Sequence, residues 1–352
     1  MAHRTEISTL GEFGLIERLQ AQVKLQQPTT QKGIGDDAAV IAPRAGQQFV
    51  VSTDMLVEQI HFDLSFHPLR HLGYKAAVVN FSDIAAMNAL PEQLTLSLAI
   101  SNRFSLEAVE ELFAGVLLAC ERYHVDLVGG DTTSSPRGLI LSLTAIGQAP
   151  PEQIVYRNGA KVGDLLCVTG DLGGAYMGLQ LLNREKQVFL QNPNEQPDLS
   201  GHDYVLGRYL KPEARTDIVR HFLDQGVRPT AMLDISDGLS SETLHLCQQS
   251  GVGVMLYEKN IPVDFRTEQS LEPFPFGAMT AALHGGDEYE LLFTIDPADH
   301  AKLEHHPDIH FIGHCLPAEE GCHLTMRSEQ VVKLQAQGWN HFQQNTNKED
   351  DA

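Results

Sequence analysis

Eight aspartates stand in short motifs rich in Gly, Ser and Thr: Asp36 and Asp37 in GIGDDAA, Asp54 in STD, Asp83 in NFSD, Asp131 in GGDTTS, Asp234 and Asp237 in DISDG, and Asp287 in HGGDEYE. Hard oxygen donors of this kind suit magnesium, which is usually held by a few carboxylates and substrate phosphates rather than by an all-protein cage. No G-x-x-x-x-G-K-[ST] string occurs, so a nucleotide site in this chain is not a P-loop. The pattern points to a phosphate-handling enzyme in which aspartates and metal stand where P-loop proteins place lysine and backbone.

Each motif also has a plainer reading. Asp83 falls among apolar residues of a helical pattern running from His71 to about Leu90, with Asn80 one turn earlier. On an exposed face it would carry no meaning; among buried neighbours a carboxylate is costly unless paired or metal-bound, and Asp is a poor mid-helix residue. Asp234-x-Ser236-Asp237-Gly238 taken alone reads as a helix N-cap, because Ser and Asp both cap well. Beside the other aspartate motifs it reads as a turn presenting carboxylates. Gly33-x-Gly35-x-x-Ala38 formally matches a dinucleotide fingerprint, but Pro28 to Lys32 do not make the preceding strand. Gly35-Asp36-Asp37 is better read as a tight turn, and Ser52-Thr53-Asp54 offers two hydroxyls and a carboxylate in a row.

These residues need a scaffold, and the chain is patterned as mixed strand and helix. Phe49–Thr53 reads as a strand delivering Asp54 at its end, and Val125–Val128 as one running into Gly129-Gly130-Asp131. Aspartates at strand ends are where α/β folds put ligands. Leu94–Ile100 and Leu139–Ile146 alternate as half-buried strands do. Ser105 can cap a helix whose stripe runs Leu106, Val109, Leu112, Phe113, Val116, Leu117 and Cys120. Pro150-Pro151 marks a boundary between a domain of residues 1–150 and a second of 151–340, with an acidic polar tail over 341–352. In the second, Asp164–Thr169 breaks into a glycine-rich turn and a helix, residues 184–203 read as a polar excursion loop, and Val252–Tyr257 reads as a strand.

Bulk properties narrow the class. A chain of 352 residues is long for a single core. The formal net charge of −21 argues against nucleic acid or an anionic membrane as partner. Five cysteines form no C-x-x-C pair and the N-terminus has no signal-type apolar core, so a cytoplasmic protein is expected. Sixteen histidines without an H-E-x-x-H read as surface residues, not as a zinc site.

The motifs GIGDDAAV, STDMLVEQIHF, KAAVVNFSDIAAM, LVGGDTTSS, RNGAKVGD, VTGDLG, LDISDGLSSE, GGDEYELLFT and QGW, in that order, resemble the thiamine-monophosphate kinase family over nearly the full length, from GEFGLIERL at Gly11 to QGW at Trp339. That family lies in the superfamily of aminoimidazole ribonucleotide synthetase. The resemblance implies a two-domain α/β (mixed α+β) fold, its N-terminal sheet pairing with a twin in a homodimer. It implies transfer of the ATP γ-phosphoryl group to thiamine monophosphate, assisted by several magnesium ions. Metal ligands would be Asp37, Ser52, Thr53, Asp54, Asp83, Asp131, Asp234 and Asp237, of which Asp37, Asp54, Asp83 and Asp131 are counted as catalytic. ATP would meet Gly130, Asp131, Arg157 and Ser236, with Phe113 where relatives often have tyrosine. Thiamine monophosphate would meet His61, Asp287 and Trp339. Relatives commonly read Gly-Gly-Glu-Asp-Tyr-Glu-Leu, whereas this chain reverses the acidic pair as Asp287-Glu288, which leaves open which carboxylate faces the substrate.

The alternative is another ATP-dependent enzyme of the same superfamily with a different acceptor. Relatives relying on a reactive N-terminal cysteine or a C-terminal cysteine tail fit poorly, because no cysteine precedes Cys120 and the chain ends in Lys348-Glu349-Asp350-Asp351-Ala352. A non-enzymatic cation-binding protein is the further rival, and the D-x-[DN]-x-[DN]-G calcium loop it would favour is absent.

Overall fold

Helix α1 (Gly11–Gln20) is followed by strands β1 (Thr30–Lys32), β2 (Val40–Ile41) and β3 (Gln48–Val57). Then come α2 (Leu69–Ala86), β4 (Leu90–Ile100), α3 (Leu106–Tyr123), β5 (Asp126–Ser134) and β6 (Ile140–Ala149). The structure is a computed structural model and describes residues 4–194 and 196–336. Strands β3 to β6 form one sheet in the order β3-β6-β4-β5, so β3 and β5 are its two edges. One face is apolar by alternation: Leu96 pairs with Leu143 and Leu98 with Leu141, all four buried beneath the helices. The other face carries Thr53, Thr144, Thr95 and Ser97 at its centre and leaves Phe49, Val51 and Met55 roughly half exposed.

Helix α2 is apolar on nearly every side, as a fully enclosed helix must be, and Leu72 to Ser82 are all buried. It packs on α3 at backbone distance. A Cβ at Gly73 would lie 2.0 Å from the Leu112 carbonyl oxygen, and one at Gly115 would lie 1.9 Å from that of Arg70. Ser105 caps α3 as its sequence predicts, accepting from the Ala108 amide at 3.3 Å.

The remainder contains β7 (Leu165–Thr169), α4 (Gly174–Gln191), α5 (Asp203–Leu210), α6 (Thr216–Gln225), β8 (Ala231–Asp234), α7 (Leu239–Ser250) and β9 (Val252–Tyr257). It continues through α8 (Phe265–Ser270), α9 (Ala278–His284), β10 (Leu291–Ile295), α10 (His300–Leu303), β11 (Ile309–Pro317), β12 (Cys322–Thr325) and β13 (Val331–Lys333). Seven strands form a second mixed sheet, β13-β12-β9-β11-β7-β10-β8, in which only β12 and β9 run parallel. Its edge strand β8 lies against α2, which therefore touches both sheets.

Three expectations change. Asp54 and Asp131 do not end their strands: β3 continues to Val57 and β5 to Ser134, because each strand keeps its pairing beyond the aspartate. The loop expected over 184–203 begins only after Gln191, since α4 carries a stripe of Met177, Leu181, Leu182 and Glu185 that its polar composition disguises. Glu185 is buried there and accepts from the Asp198 amide at 2.9 Å.

Candidate active site

The seam between the two sheets gathers four of the expected residues. Ser52 and Asp54 lie on the face of β3 that meets α2; the Ser52 hydroxyl donates to Asp83, and the Asn80 amide oxygen accepts from the Asp54 backbone at 3.1 Å. From the other side, Asp234 at the end of β8 accepts from Ser82 at 2.7 Å. Residues 82 and 83 of one helix thus tie a strand edge of each sheet to a single carboxylate cluster. A cleft of about 500 Å³ opens beside it, lined by Phe49, Val51, Ser52, Asp83, Tyr156 and Arg157 among others.

The electrostatics of the cluster are unbalanced. Burial first, and then the neighbouring Asp83, push Asp54 up to about 6. Burial and Asp83 likewise push Asp234 up to about 8. Asp83 is raised by burial even though Ser52 and Arg157 pull it down. Glu242 on α7, pushed to about 7 by burial and by Asp237, belongs to the same field. Arg157 lowers Asp83, Asp234 and Glu242 but does not neutralise them.

The donor set fits magnesium. Among the described residues no three His, Cys, Asp or Glu groups converge to enclose a metal ion by themselves. Hard oxygens in pairs, with raised pKa values that a divalent cation relieves, are what magnesium takes when phosphates complete its shell.

The DISDG turn is not an N-cap. The cap position of α7 is Gly238, at φ 107, and no side chain caps the helix. Instead the turn is zipped to residues 285–290: the Asp287 amide donates to the Ser236 carbonyl at 2.8 Å, Tyr289 to Ile235 at 2.9 Å, and Ile235 to Glu290 at 2.8 Å. Ser236 and Asp237 are thereby placed beside Asp287. Both Asp287 (φ 64) and Tyr289 (φ 55) are held in the left-handed region, a strain that concentrates at functional sites. Between them Glu288 is buried and paired with Arg208 at 2.9 Å, whereas Asp287 is one-third exposed. The reversed acidic pair therefore presents Asp287, not Glu288, to the outside.

Other expected residues stand apart. Asp37 is exposed in the loop between β1 and β2, its amide bonded to Asp36. Thr53 faces away from Asp54 and bonds the Leu143 carbonyl at 2.9 Å. Gly130 and Asp131 lie on the far edge strand β5, about 14 Å from β3 at ordinary strand spacing. Register puts Asp131 beside Ser97 on the open sheet face, not on the α2 face. His61 accepts from the Val57 amide through Nδ1 at 3.0 Å, so in the neutral ring Nε2 carries the proton. Phe113 is 4% exposed in the core between α2 and α3 and offers no surface to a nucleotide; its place on the apolar stripe is the reason. Trp339 lies outside the described residues.

Sequence reasoning missed Lys75, Ser82, Glu242 and Tyr289. Lys75 alone left a signal, a cation inside the apolar run KAAVV.

Two mixed sheets joined at a carboxylate seam define an AIR synthase-related protein, and the family model "AIR synthase related protein, N-terminal domain" matches residues 35–149. Across its length the chain is 31% identical to thiamine-monophosphate kinase of Bacillus subtilis, covering 95% of this chain and 100% of that one. It is 34% identical to the Escherichia coli K12 enzyme of the same name, covering 94% and 98%. The solved structure of AaThiL complexed with AMPPCP and TMP superposes with a TM-score of 0.73 at 30% identity, covering 97% of this chain and all of that one. The chain belongs to the thiamine-monophosphate kinase family.

Proposed function

We propose that the protein transfers the γ-phosphoryl group of ATP to thiamine monophosphate, giving thiamine diphosphate and ADP. The observation that carries this reading is the under-neutralised cluster of half-buried Asp54 and Asp83 with buried Asp234, beside a cleft lined by Arg157. The acceptor is a phosphate monoester with a second pKa of about 6, so its oxygen is already largely anionic near neutral pH and no general base is required. The remaining difficulty is repulsion between two polyanions. Ser52, Asp54, Asp83 and Asp234 would hold magnesium ions together with the phosphates, and bound magnesium would supply the positive charge that lets the two polyanions approach. Arg157 adds a forked cation at the cleft, suited to phosphate oxygens. On the acceptor side stand Asp287 and His61, and Trp339 completes that set in our reading. The acceptor oxygen bonds to the γ-phosphorus as the bond to the β–γ bridging oxygen breaks and ADP leaves.

Homodimerisation belongs to the same proposal. It is supported by the uncovered sheet face with Phe49, Val51 and Met55 at 47%, 60% and 58% exposure, an apolar strip of the kind that marks an interface. Asp131, Gly130 and Thr53 occur on or beside that face, so their contribution to metal and nucleotide is assigned to the paired state; the exposed Asp37 is kept in the metal set on the same basis. The division into residues 1–150 and 151–340 is supported by one sheet ending at Ala149 and the next beginning at Leu165. No helix among the described residues is long and apolar enough to cross a membrane. Five cysteines without disulfides support a cytoplasmic location.

The test is purified protein with ATP, magnesium and thiamine monophosphate, following thiamine diphosphate, with free thiamine as control acceptor. Product from the monophosphate alone is expected. Product from free thiamine, or none from either, refutes the acceptor assignment.

A further inference from the structure

Lys75 is the one lysine on α2, and its side chain is 3% exposed. Burying an ammonium is costly without a partner. Its partner comes from the loop between α9 and β10: Nζ lies 3.1 Å from Asp287 Oδ2. The same nitrogen sits 4.0 Å from the centroid of the buried Tyr209 ring. Nζ makes no hydrogen bond to any described group, and neither ring nitrogen of the neighbouring buried His67 does either. Burial first, and then Lys75, hold His67 well below its ordinary pKa, so Lys75 is the cation of this pocket.

On the opposite oxygen, Asp287 accepts from the Tyr289 hydroxyl at 2.8 Å. The carboxylate is thus gripped from two sides while its backbone is held left-handed. Lys75 and Asp83 share one helix, eight residues apart, which is about 12 Å of rise. A single rigid element therefore carries both a carboxylate of the metal cluster and the cation that fixes Asp287.

We infer that Lys75 is a positioning residue: it holds the Asp287 carboxylate toward the acceptor, and α2 sets the spacing between the acceptor half and the metal half of the site. This rests on the proposed reading in which Asp287 meets thiamine monophosphate.

The test is steady-state kinetics of Lys75→Met, Asp287→Asn and the double variant, with thermal melting as a check on folding. Lys75→Met keeps the buried stem and removes the charge. It is expected to raise the KM for thiamine monophosphate about tenfold or more while leaving the KM for ATP within about twofold. The double variant is expected to be no worse than the worse single one, because one interaction is lost only once. An unchanged acceptor KM, losses that multiply, or equal rises for both substrates would each overturn the inference. If Lys75→Met does not fold, Tyr289→Phe removes the other grip on Asp287. It is expected to raise the acceptor KM about threefold, and no rise overturns the inference. Wild-type protein that forms no thiamine diphosphate defeats the functional reading instead, so the two failures are distinct.

Discussion

Two groups of carboxylates, one buried behind the Asp287 loop and one half-buried at the seam, differ in how much positive charge surrounds them. Behind the Asp287 loop, Glu288 and Glu290 meet Arg208 at 2.9 and 2.8 Å, and Glu290 also meets Arg215 at 2.8 Å. Burial works against ionised Glu290, but the two guanidiniums outweigh it and hold that carboxyl below its ordinary pKa, whereas Glu288, with Arg208 alone, is still pushed up to about 7 by burial. At the seam, Asp83 and Asp234 accept from the Ser52 and Ser82 hydroxyls, Asp54 lies against Asp83, Arg157 is the cation acting on Asp83 and Asp234, and all three carboxyls are raised. The same residue chemistry therefore serves two ends. Where the chain supplies its own counter-charge, the carboxylates lock a strained loop; where it withholds one, they form a site for an external cation.

The sharpest way to break this contrast is to remove a cation from the locked group. Arg208→Leu leaves Glu288 and half of Glu290 uncompensated, and breaking a buried pair in this way costs about 3–5 kcal/mol. Urea denaturation should show a loss of that size whether or not magnesium is present. A variant as stable as wild type would mean that the network is not structural.

Asp54→Asn probes the other side. Turnover is expected to fall about 10²- to 10³-fold, comparable to about 2.7–4 kcal/mol of transition-state stabilisation. Its melting temperature in metal-free buffer should hold or rise, because repulsion with Asp83 is relieved. Near wild-type turnover would remove Asp54 from the metal set; a large loss of stability would make the cluster structural like its counterpart.

How much of this was readable in the chain follows from the kind of signal involved. Ser52, Asp54, Asp83 and Asp234 were legible because carboxylates among Gly, Ser and apolar residues are chemically conspicuous. The mixed α/β fold was legible from alternation and stripes, and α2 from its helical pattern of apolar residues. Arg208 and Arg215 were silent: nothing local in RYL or ARTD says that either cation crosses to Glu290, more than seventy residues away. The placement of Asp131 was equally hidden. Which face of a strand a residue occupies depends on register, and here a bulge between Leu94 and Thr95 shifts the pairing of β4 with β5. The length of α4 was masked by polar residues on its exposed side.

A third, smaller effect separates the groups by pH. Asp54 stands at about 6 in the folded chain and at 3.8 as an ordinary aspartate, so between those values the folded state binds more protons than the unfolded one. Stability from this group is greatest below about pH 3.8 and is lost as pH rises through about 6. Metal-free protein should therefore lose relative stability as pH rises from about 3.8 to about 6, by at most about 3 kcal/mol at about 1.4 kcal/mol per unit. The readout is the difference between wild type and Asp54→Asn in paired urea titrations. Saturating magnesium with a non-hydrolysable ATP analogue should flatten that difference, because the cation takes the place of the proton. A difference that persists with ligand would mean that the cation does not bind at Asp54.

The smallest expected effect tests whether the division reaches beyond charge. Phe113 stands where the family resemblance implies a tyrosine, yet it is buried on α3 within the hydrophobic core. Phe113→Tyr would bury a hydroxyl in an apolar layer, costing about 1–3 kcal/mol unless it reaches a partner. The KM for ATP should be unchanged, since a 4% exposed side chain presents nothing to bind. A lowered KM for ATP would show that the ring turns toward the nucleotide when the site closes. Helix α3 would then belong to the site as α2 does, and the boundary between scaffold and chemistry would have to be redrawn one layer deeper.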